Sequence, residues 1–237
     1  MKEEPYLLAI DCSGRIGSAA VGQGPCLLAE RVFSGKMRHS RELFVSLETV
    51  LKEAGCGLAD IGAFCFTVGP GSFTGLRIAV TAAKMIHFAR KIPLIAVNTL
   101  DTITYNATDY ILKNEMAPSY LSVVLDAKHQ SFFSAIYRWD KNKWIKHIGD
   151  MMIPGAQLVK QLVALGNCAV VGEGLLYHRE LFQTAGIQII PDAYWPASAR
   201  AVLKAAYEKY CSGQFDNAFQ LVPYYIRPPE ITEKAKK

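Results

Sequence analysis

The chain has 237 residues, of which 51% are hydrophobic and 20% charged, and its net charge is +5. This ordinary globular composition is long enough to bury a core without disulfides, as one large domain or two small lobes. The mild positive charge is compatible with transient nucleic-acid contact, but no basic stripe stands out. The first apolar run ends at Asp11 and is no signal peptide, and no run approaches the roughly 20 residues of a membrane span. We therefore expect a cytoplasmic protein.

The first half of the chain predicts the element order βββαβαβ. Three short apolar runs joined by tight turns are typical of an antiparallel meander, and the period then changes to that of a helix. A second predicted helix is apolar on nearly all sides, which indicates burial in a large core or under a partner. The predicted strands are 6–11, 18–22, 26–33, 61–68 and 94–99, and the predicted helices are 39–55 and 73–89.

The second half opens with three strands again, after a polar helical stretch that follows Leu100. Two halves that both begin βββα suggest a duplicated unit, although no residue-level repeat is visible. We therefore predict lobes at 1–105 and 106–237, with the helix at 198–213 packing back on the first lobe. The predicted strands are 119–127, 131–139, 143–153, 168–174 and 187–190, and the other two predicted helices are 154–165 and 175–185.

Cysteine and histidine spacings indicate no metal site. None of the six cysteines forms a CxxC pair, and none of the five histidines has the spacing of a helical metal pair. Most of the cysteines lie in apolar runs, so we expect buried free thiols in a reducing compartment. The cysteines are Cys12, Cys26, Cys56, Cys65, Cys168 and Cys211.

The stretch TVGPGSFTGLR, residues 67–77, joins a predicted strand to a predicted helix. Backbone N–H groups at such a glycine-rich turn can bind an anion. The alternative is a tight turn that needs glycines, with Ser72 and Thr74 capping the helix. It is not a Walker A loop, because Leu76 and Arg77 follow its last glycine. The candidate nucleotide or anion site comprises Asp11, Gly69, Gly71, Ser72 and Gly75.

Six segments together resemble the bacterial TsaB (YeaZ-type) family of tRNA threonylcarbamoyladenosine biosynthesis proteins. They are LAIDCSGRIGSAAV, HSREL, VGPGSFTGLRIAVTAAKMIHFA, PLIAVNTLDTI, LDAK and, in the tail, PYYIRPP. The resemblance is specific through about residue 105 and looser over the second half. It implies an α/β fold of the actin/Hsp70/sugar-kinase class, with two RNase-H-like lobes and a reduced second lobe. The Pro- and Tyr-rich tail, 221–231, is expected to be strapped over the surface or a partner, or to be loose.

The resemblance also implies that the chain is not an enzyme. The related threonylcarbamoyl transferase, TsaD, carries a VNHLxGH metal motif, and its two histidine positions are occupied here by Thr99 and Ile103. Neither side chain can replace histidine as a metal ligand. We therefore expect no metal and no cofactor, with weak ATP or ADP binding left open. A nucleotide-dependent kinase or ATPase of the same fold remains the alternative, although Cys12 replaces the usual threonine after Asp11.

The implied role is a scaffold in the complex that installs threonylcarbamoyl on N6 of adenosine 37 of ANN-decoding tRNAs. The expected partners are TsaD and the ATPase subunit TsaE, with a homodimer when the chain is alone, indirect contact to tRNA and no membrane. The interface is expected on the first two helices. Its candidate residues are His39, Leu43, Leu47, Phe73, Leu76, Arg77, Val80 and Lys84.

Overall fold

The computed structural model describes residues 4–34 and 39–227. Its first lobe is built on a five-stranded sheet of order β3-β2-β1-β4-β5, in which β1 runs parallel to β4 and antiparallel to β2. The elements are β1 (Tyr6–Asp11), β2 (Ser18–Gln23), β3 (Cys26–Val32), α1 (His39–Glu53), β4 (Ile61–Gly69), α2 (Phe73–Arg90), β5 (Leu94–Asn98) and α3 (Thr99–Lys113).

The second lobe repeats this plan, with a five-stranded sheet of order β8-β7-β6-β9-β10. Its last two strands have only 4 and 2 residues, against 9 and 5 in β4 and β5. The predicted two-lobed α/β fold is confirmed, and the reduction of the second lobe lies in these strands and in its shorter helices. The elements are β6 (Tyr120–Asp126), β7 (Ser131–Asp140), β8 (Lys143–Pro154), α4 (Gly155–Leu165), β9 (Cys168–Val171), α5 (Leu175–Thr184), β10 (Gln188–Ile189) and α6 (Ala199–Cys211).

The first sheet is covered on both faces, which explains why β1 is an unbroken apolar run. Successive side chains of a strand point to opposite faces, so Leu8 and Ile10 face the core beneath α1 and α2. Leu7 and Ala9 face a second core, to which α6 contributes four buried side chains. The last helix of the chain therefore lies on the first sheet. The four side chains are Ala199, Val202, Leu203 and Ala206.

The two lobes are joined by α3. It starts at the end of β5 in the first sheet, but Leu100, Ile103 and Ala107 belong to the core of the second lobe. The predicted boundary at residue 105 falls inside this helix. Among the helices of the described residues, none combines the length and apolar character that crossing a membrane requires.

The cysteines are all free thiols, as their spacing predicts, but not all of them are buried. Cys26 and Cys211 are exposed at the start of β3 and the end of α6. The sequence predicted burial from neighbouring apolar residues. Both positions lie at element ends, where that pattern does not report depth.

Candidate functional site

The glycine loop between β4 and α2 packs directly against the backbone of the first lobe. A Cβ atom at Gly75 would overlap the carbonyl oxygen of Cys12, and one at Gly71 would overlap that of Ser13. Only glycine allows such close backbone approach. The loop glycines are therefore required to bring the start of α2 onto the hairpin that follows β1.

The polar groups of this loop are already engaged within the fold. The Ser72 N–H donates to the carbonyl oxygen of Ser13 at 2.7 Å, and the Ser72 hydroxyl accepts from the Gly75 N–H at 3.2 Å. Ser72 is thus the N-cap of α2, as the capping alternative requires. Two donors of the predicted anion site are consequently occupied by protein oxygens.

Asp11 is fully enclosed at the end of β1. Its Oδ1 accepts from the Ser13 N–H at 3.2 Å, the Ser13 hydroxyl at 2.7 Å and the Thr67 hydroxyl at 2.6 Å. This arrangement holds the hairpin against β4. Asp11 is not among the residues that line the cleft between the lobes, and nucleotide or anion binding through its carboxylate stays a prediction.

The described part of the tail, 221–227, lies along the glycine loop. The Tyr224 N–H donates to the carbonyl oxygen of Val68 at 2.8 Å, and the Tyr225 ring lies 5.3 Å from that of Phe73. A Cβ at Gly69 would overlap the Tyr224 carbonyl oxygen. Of the two alternatives for the tail, the structure shows residues 221–227 strapped over the surface of the protein. Residues 228–231 lie outside the described residues.

A cleft of about 390 Å³ separates the lobes beside this tail. It is lined by Gly71 of the loop, by Asp126 and Lys128 after β6, and by residues 224–227. Asp126 ends the first strand of its lobe as Asp11 does, and it pairs with Lys128 at 2.9 Å. Of the five residues predicted to form an anion site, only Gly71 lines this cleft.

Glu173 crosses between the lobes from the loop after β9, and no pattern in the sequence indicated this contact. Its Oε2 accepts from the Arg15 N–H at 3.3 Å, and a Cβ at Gly14 would lie 2.8 Å from the same oxygen. Burial raises the pKa of the Glu173 carboxyl above its usual value, and the charge of Asp11 adds to this rise. The two lobes therefore meet here through a partly desolvated carboxylate.

A closed polar network surrounds the start of α3. Lys146 on β8 donates to Asp150 at 2.6 Å and to Asp101 at 2.8 Å, and the Tyr137 hydroxyl donates to Asp101 at 2.7 Å. The side-chain amide of Asn98 donates to Asp150. Burial and the Asp101 carboxylate raise the pKa of Tyr137 well above its usual value. The network joins α3 to the second sheet with an ammonium group at its centre.

Thr99 and Ile103, at the two positions where the transferase motif has histidine, are both buried in α3. Within the described residues, no group of three or more His, Cys, Asp or Glu side chains is arranged to hold a metal ion. Neither of these two side chains offers a nitrogen or carboxylate ligand.

An apolar groove of about 360 Å³ runs between α1 and α2 on the outside of the first lobe. Phe44 is 48% exposed and Met85 is 56% exposed along it. The Arg77 guanidinium lies 3.8 Å from the centre of the Phe73 ring, and both residues line the groove. Exposed apolar side chains grouped in this way are typical of interaction surfaces.

The structure corrects half of the predicted interface residues. Their side chains are enclosed within the first lobe, so they cannot contribute exposed area to a partner. Phe73 and Arg77 are exposed, Lys84 is half-buried, and the side chain of His39 lies outside the described residues. Phe44 and Met85, which are exposed along the groove, were not among the predicted interface residues. The enclosed residues are Leu43, Leu47, Leu76 and Val80.

The two repeated lobes, each with a five-stranded sheet and helices, and the cleft between them place this chain in the class of two-lobed α/β proteins. A solved structure described as an uncharacterized protein with similarity to peptidase YEAZ, from Pseudomonas aeruginosa, has the same fold, with a TM-score of 0.78 at 22% sequence identity. The match covers 94% of this chain and 100% of that one.

The profile of the tRNA N6-adenosine threonylcarbamoyltransferase family, TsaD, matches residues 27–212, and the chain belongs to this family as a TsaB/YeaZ-type paralogue of the transferase. The tRNA threonylcarbamoyladenosine biosynthesis protein TsaB of Escherichia coli is 23% identical over 223 residues, 93% of this chain and 94% of that protein. The protein of that name from Bacillus subtilis is 27% identical over 142 residues, 60% of this chain and 58% of that protein. The chain thus spans little more than half of the Bacillus relative.

Proposed function

We propose that this chain is the non-catalytic subunit of the complex that makes threonylcarbamoyladenosine in tRNA. In this role it pairs with the transferase paralogue, TsaD, and works with the ATPase subunit, TsaE, in the cytoplasm. The observation that carries the proposal is the open apolar groove between α1 and α2. The relatives named for threonylcarbamoyladenosine biosynthesis support the choice of complex.

The groove suits a helical partner. Leu43 forms part of its floor, while Phe44 and Met85 stand exposed on its two walls. Covering such side chains removes apolar surface from water, which favours association. The family profile includes α1 and α2, so the paralogue has the corresponding helices to present. The same surface would close on a second copy when the chain is alone.

The absence of catalysis is proposed from side-chain chemistry. Thr99 and Ile103 stand where the transferase motif has histidine, and both are enclosed. The two nearby carboxylates, Asp101 and Asp150, are already paired with Lys146. We therefore assign the transfer chemistry to the paralogue and no metal or cofactor to this chain.

The groove is tested by placing a charge on its wall. Size-exclusion chromatography with light scattering compares wild type, Met85→Glu and a control, each alone and mixed with the paralogue. The control is Val163→Glu, because Val163 is 57% exposed on α4 of the other lobe. We expect Met85→Glu to lose the heterodimer and Val163→Glu to keep it. A wild-type chain that stays monomeric beside the paralogue would overturn the proposal.

The non-catalytic assignment is tested by reconstitution on tRNA. We expect threonylcarbamoyladenosine only when the paralogue is present, and more of it when this chain is added. Product formed by this chain without the paralogue would show that the assignment is wrong. The readout is the modified nucleoside after digestion of the tRNA, measured by mass spectrometry.

The second candidate, a nucleotide-dependent enzyme, is favoured by the cleft between the lobes. This cleft offers Lys128 and the backbone of Gly71 to a phosphate group. Asp11 is enclosed, however, so we propose that ATP or ADP binds weakly at most. Calorimetry with ATP decides this: tight binding that is lost in Lys128→Ala would favour the enzyme.

A further inference from the structure

The strands β7 and β8, with 10 and 12 residues, are the two longest of the second sheet. A two-residue turn joins them into a hairpin. Lys141 and Asn142 both have left-handed backbone conformations, with φ of 46° and 65°, as a type I′ hairpin turn requires. The residue pair next to the turn is Asp140 with Lys143. We call residues 138–147 the arm.

The arm concentrates positive charge that the rest of the fold leaves unpaired. It contains four basic residues and one acidic residue, while the whole chain has a net charge of +5. Arg138, Lys141 and Lys143 are exposed, and within the described part of the chain none of them forms an ion pair. Lys146, in contrast, is neutralised by two carboxylates. Three unpaired cations near one hairpin tip form an electrostatic footprint for a polyanion.

Aromatic side chains lie beside these cations. The rings of Trp139 and Trp144, which face each other across the arm, are 4.8 Å apart. A cavity of about 460 Å³ lies between the arm and α3, lined by Trp144, Tyr137 and Tyr105 together with Lys143. The indole N–H of Trp144 is buried and has no hydrogen-bond partner among the described residues. The cavity has the volume of a small-molecule site, about 300–1,000 Å³, and one donor without an acceptor.

We propose that the arm binds RNA directly. Arg138, Lys141 and Lys143 contact phosphate groups, and an unpaired base enters the cavity beside Trp144. Proteins recognise unpaired RNA bases by stacking them on aromatic rings and by hydrogen-bonding their edges. This inference rests on the proposed function, which supplies tRNA as the RNA at hand. The sequence predicted only indirect contact with tRNA, whereas this inference assigns direct contact to the arm.

Binding is measured by fluorescence anisotropy with labelled tRNA, for the chain alone and for its complex with the transferase paralogue. The test variant is R138Q/K141Q/K143Q. The matched control is K113Q/K160Q/R179Q, which removes three exposed cations that lie outside the arm and do not line its cavity. We expect the test variant to bind tRNA about tenfold more weakly at moderate salt. The slope of log K against log salt should fall by about two to three, since each phosphate contact contributes roughly 0.7–0.9.

Tryptophan fluorescence tests the cavity. Two of the three tryptophans lie in the arm, and Trp195 is buried with its N–H bonded to the Ile190 carbonyl oxygen at 2.6 Å. We expect added tRNA to quench the fluorescence of wild type and of Trp195→Phe. The quenching should be much smaller in Trp144→Phe. Equal quenching in all three proteins would show that no base enters the cavity.

Size-exclusion chromatography of both triple variants with the paralogue separates this inference from the proposed function. If R138Q/K141Q/K143Q forms the heterodimer but loses affinity for tRNA, the arm is an RNA surface. If it binds tRNA with the affinity and salt slope of the control, the inference is overturned. Loss of the heterodimer with unchanged tRNA affinity would also overturn it, because the arm would then dock a protein. Thermal melts establish that both variants are folded.

Discussion

Gly75, in the first turn of α2, lies directly against the carbonyl oxygen of Cys12, and a Cβ at residue 75 would overlap that oxygen. The contact joins the hairpin after β1 to the loop after β4. It gives the loop a structural explanation that requires no bound anion.

Replacing Gly75 by alanine should therefore destabilise the fold, although alanine is the better helix former. The added methyl group would force the backbone of α2 away from the hairpin, which should lower the free energy of unfolding by about 2–4 kcal/mol. Urea denaturation measures the loss. The control is Gly149→Ala, because a Cβ at that position has no heavy atom within 4 Å. Equal stability of the two variants would contradict the close contact.

The two sides of the α1–α2 pair should respond differently to truncation. Leu76 is fully buried, so Leu76→Ala should lower the free energy of unfolding by about 2–5 kcal/mol. Phe44 is 48% exposed, so Phe44→Ala should cost about 1 kcal/mol or less while weakening the heterodimer. Denaturation and chromatography on the same samples separate the two effects. A stable Leu76→Ala protein that no longer pairs would restore Leu76 as an interface residue.

Glu173 should make stability depend on pH in the mildly acidic range. Its pKa is raised in the folded state, so the unfolded chain holds fewer protons between the two pKa values. The contribution of this group is therefore most favourable below its unfolded pKa of about 4.3 and is lost as pH rises through the folded pKa. Glutamine carries no charge to bury and can still accept from the Arg15 N–H.

Glu173→Gln should accordingly be more stable than wild type at pH 7, with a higher Tm. The difference should shrink as the pH falls to about 4, where the wild-type carboxyl is also protonated. Thermal melts across this range give the measurement, and Glu180→Gln on the exposed side of α5 is the control. A variant that is less stable than wild type at every pH would show that the carboxylate forms net favourable contacts.

The sequence predicted these elements well because their apolar patterns are clear. The unbroken apolar run of β1 has the predicted bounds in the structure, and the helix predicted over 39–55 is α1, which ends two residues earlier. The faces of α2 could not be predicted, because nearly every side of this helix is apolar. Which side is enclosed depends on the sheet beneath it, and so Val80 was taken for an interface residue although it is 6% exposed.

Contacts between residues distant in sequence account for what the sequence did not predict. Glu173 reaches Arg15 across 158 positions, and Tyr224 covers Gly69 from the tail. The arm escaped notice for another reason. Its basic residues are separated by Trp139, Asp140, Asn142 and Trp144, so no run of basic residues forms. Only the hairpin brings Arg138 and Lys143 to the same end of the sheet.

The position of α6 has a consequence for how the chain folds during its own translation. One face of the first sheet, including Leu7 and Ala9, is covered by Val202 and its neighbours, nearly two hundred residues later in the chain. During translation this face has no cover until α6 has left the ribosome, and until then it is open to aggregation or to a chaperone. The lobe that is synthesised first can therefore be completed only by the end of the chain, and a truncation before α6 would leave one face of its sheet uncovered.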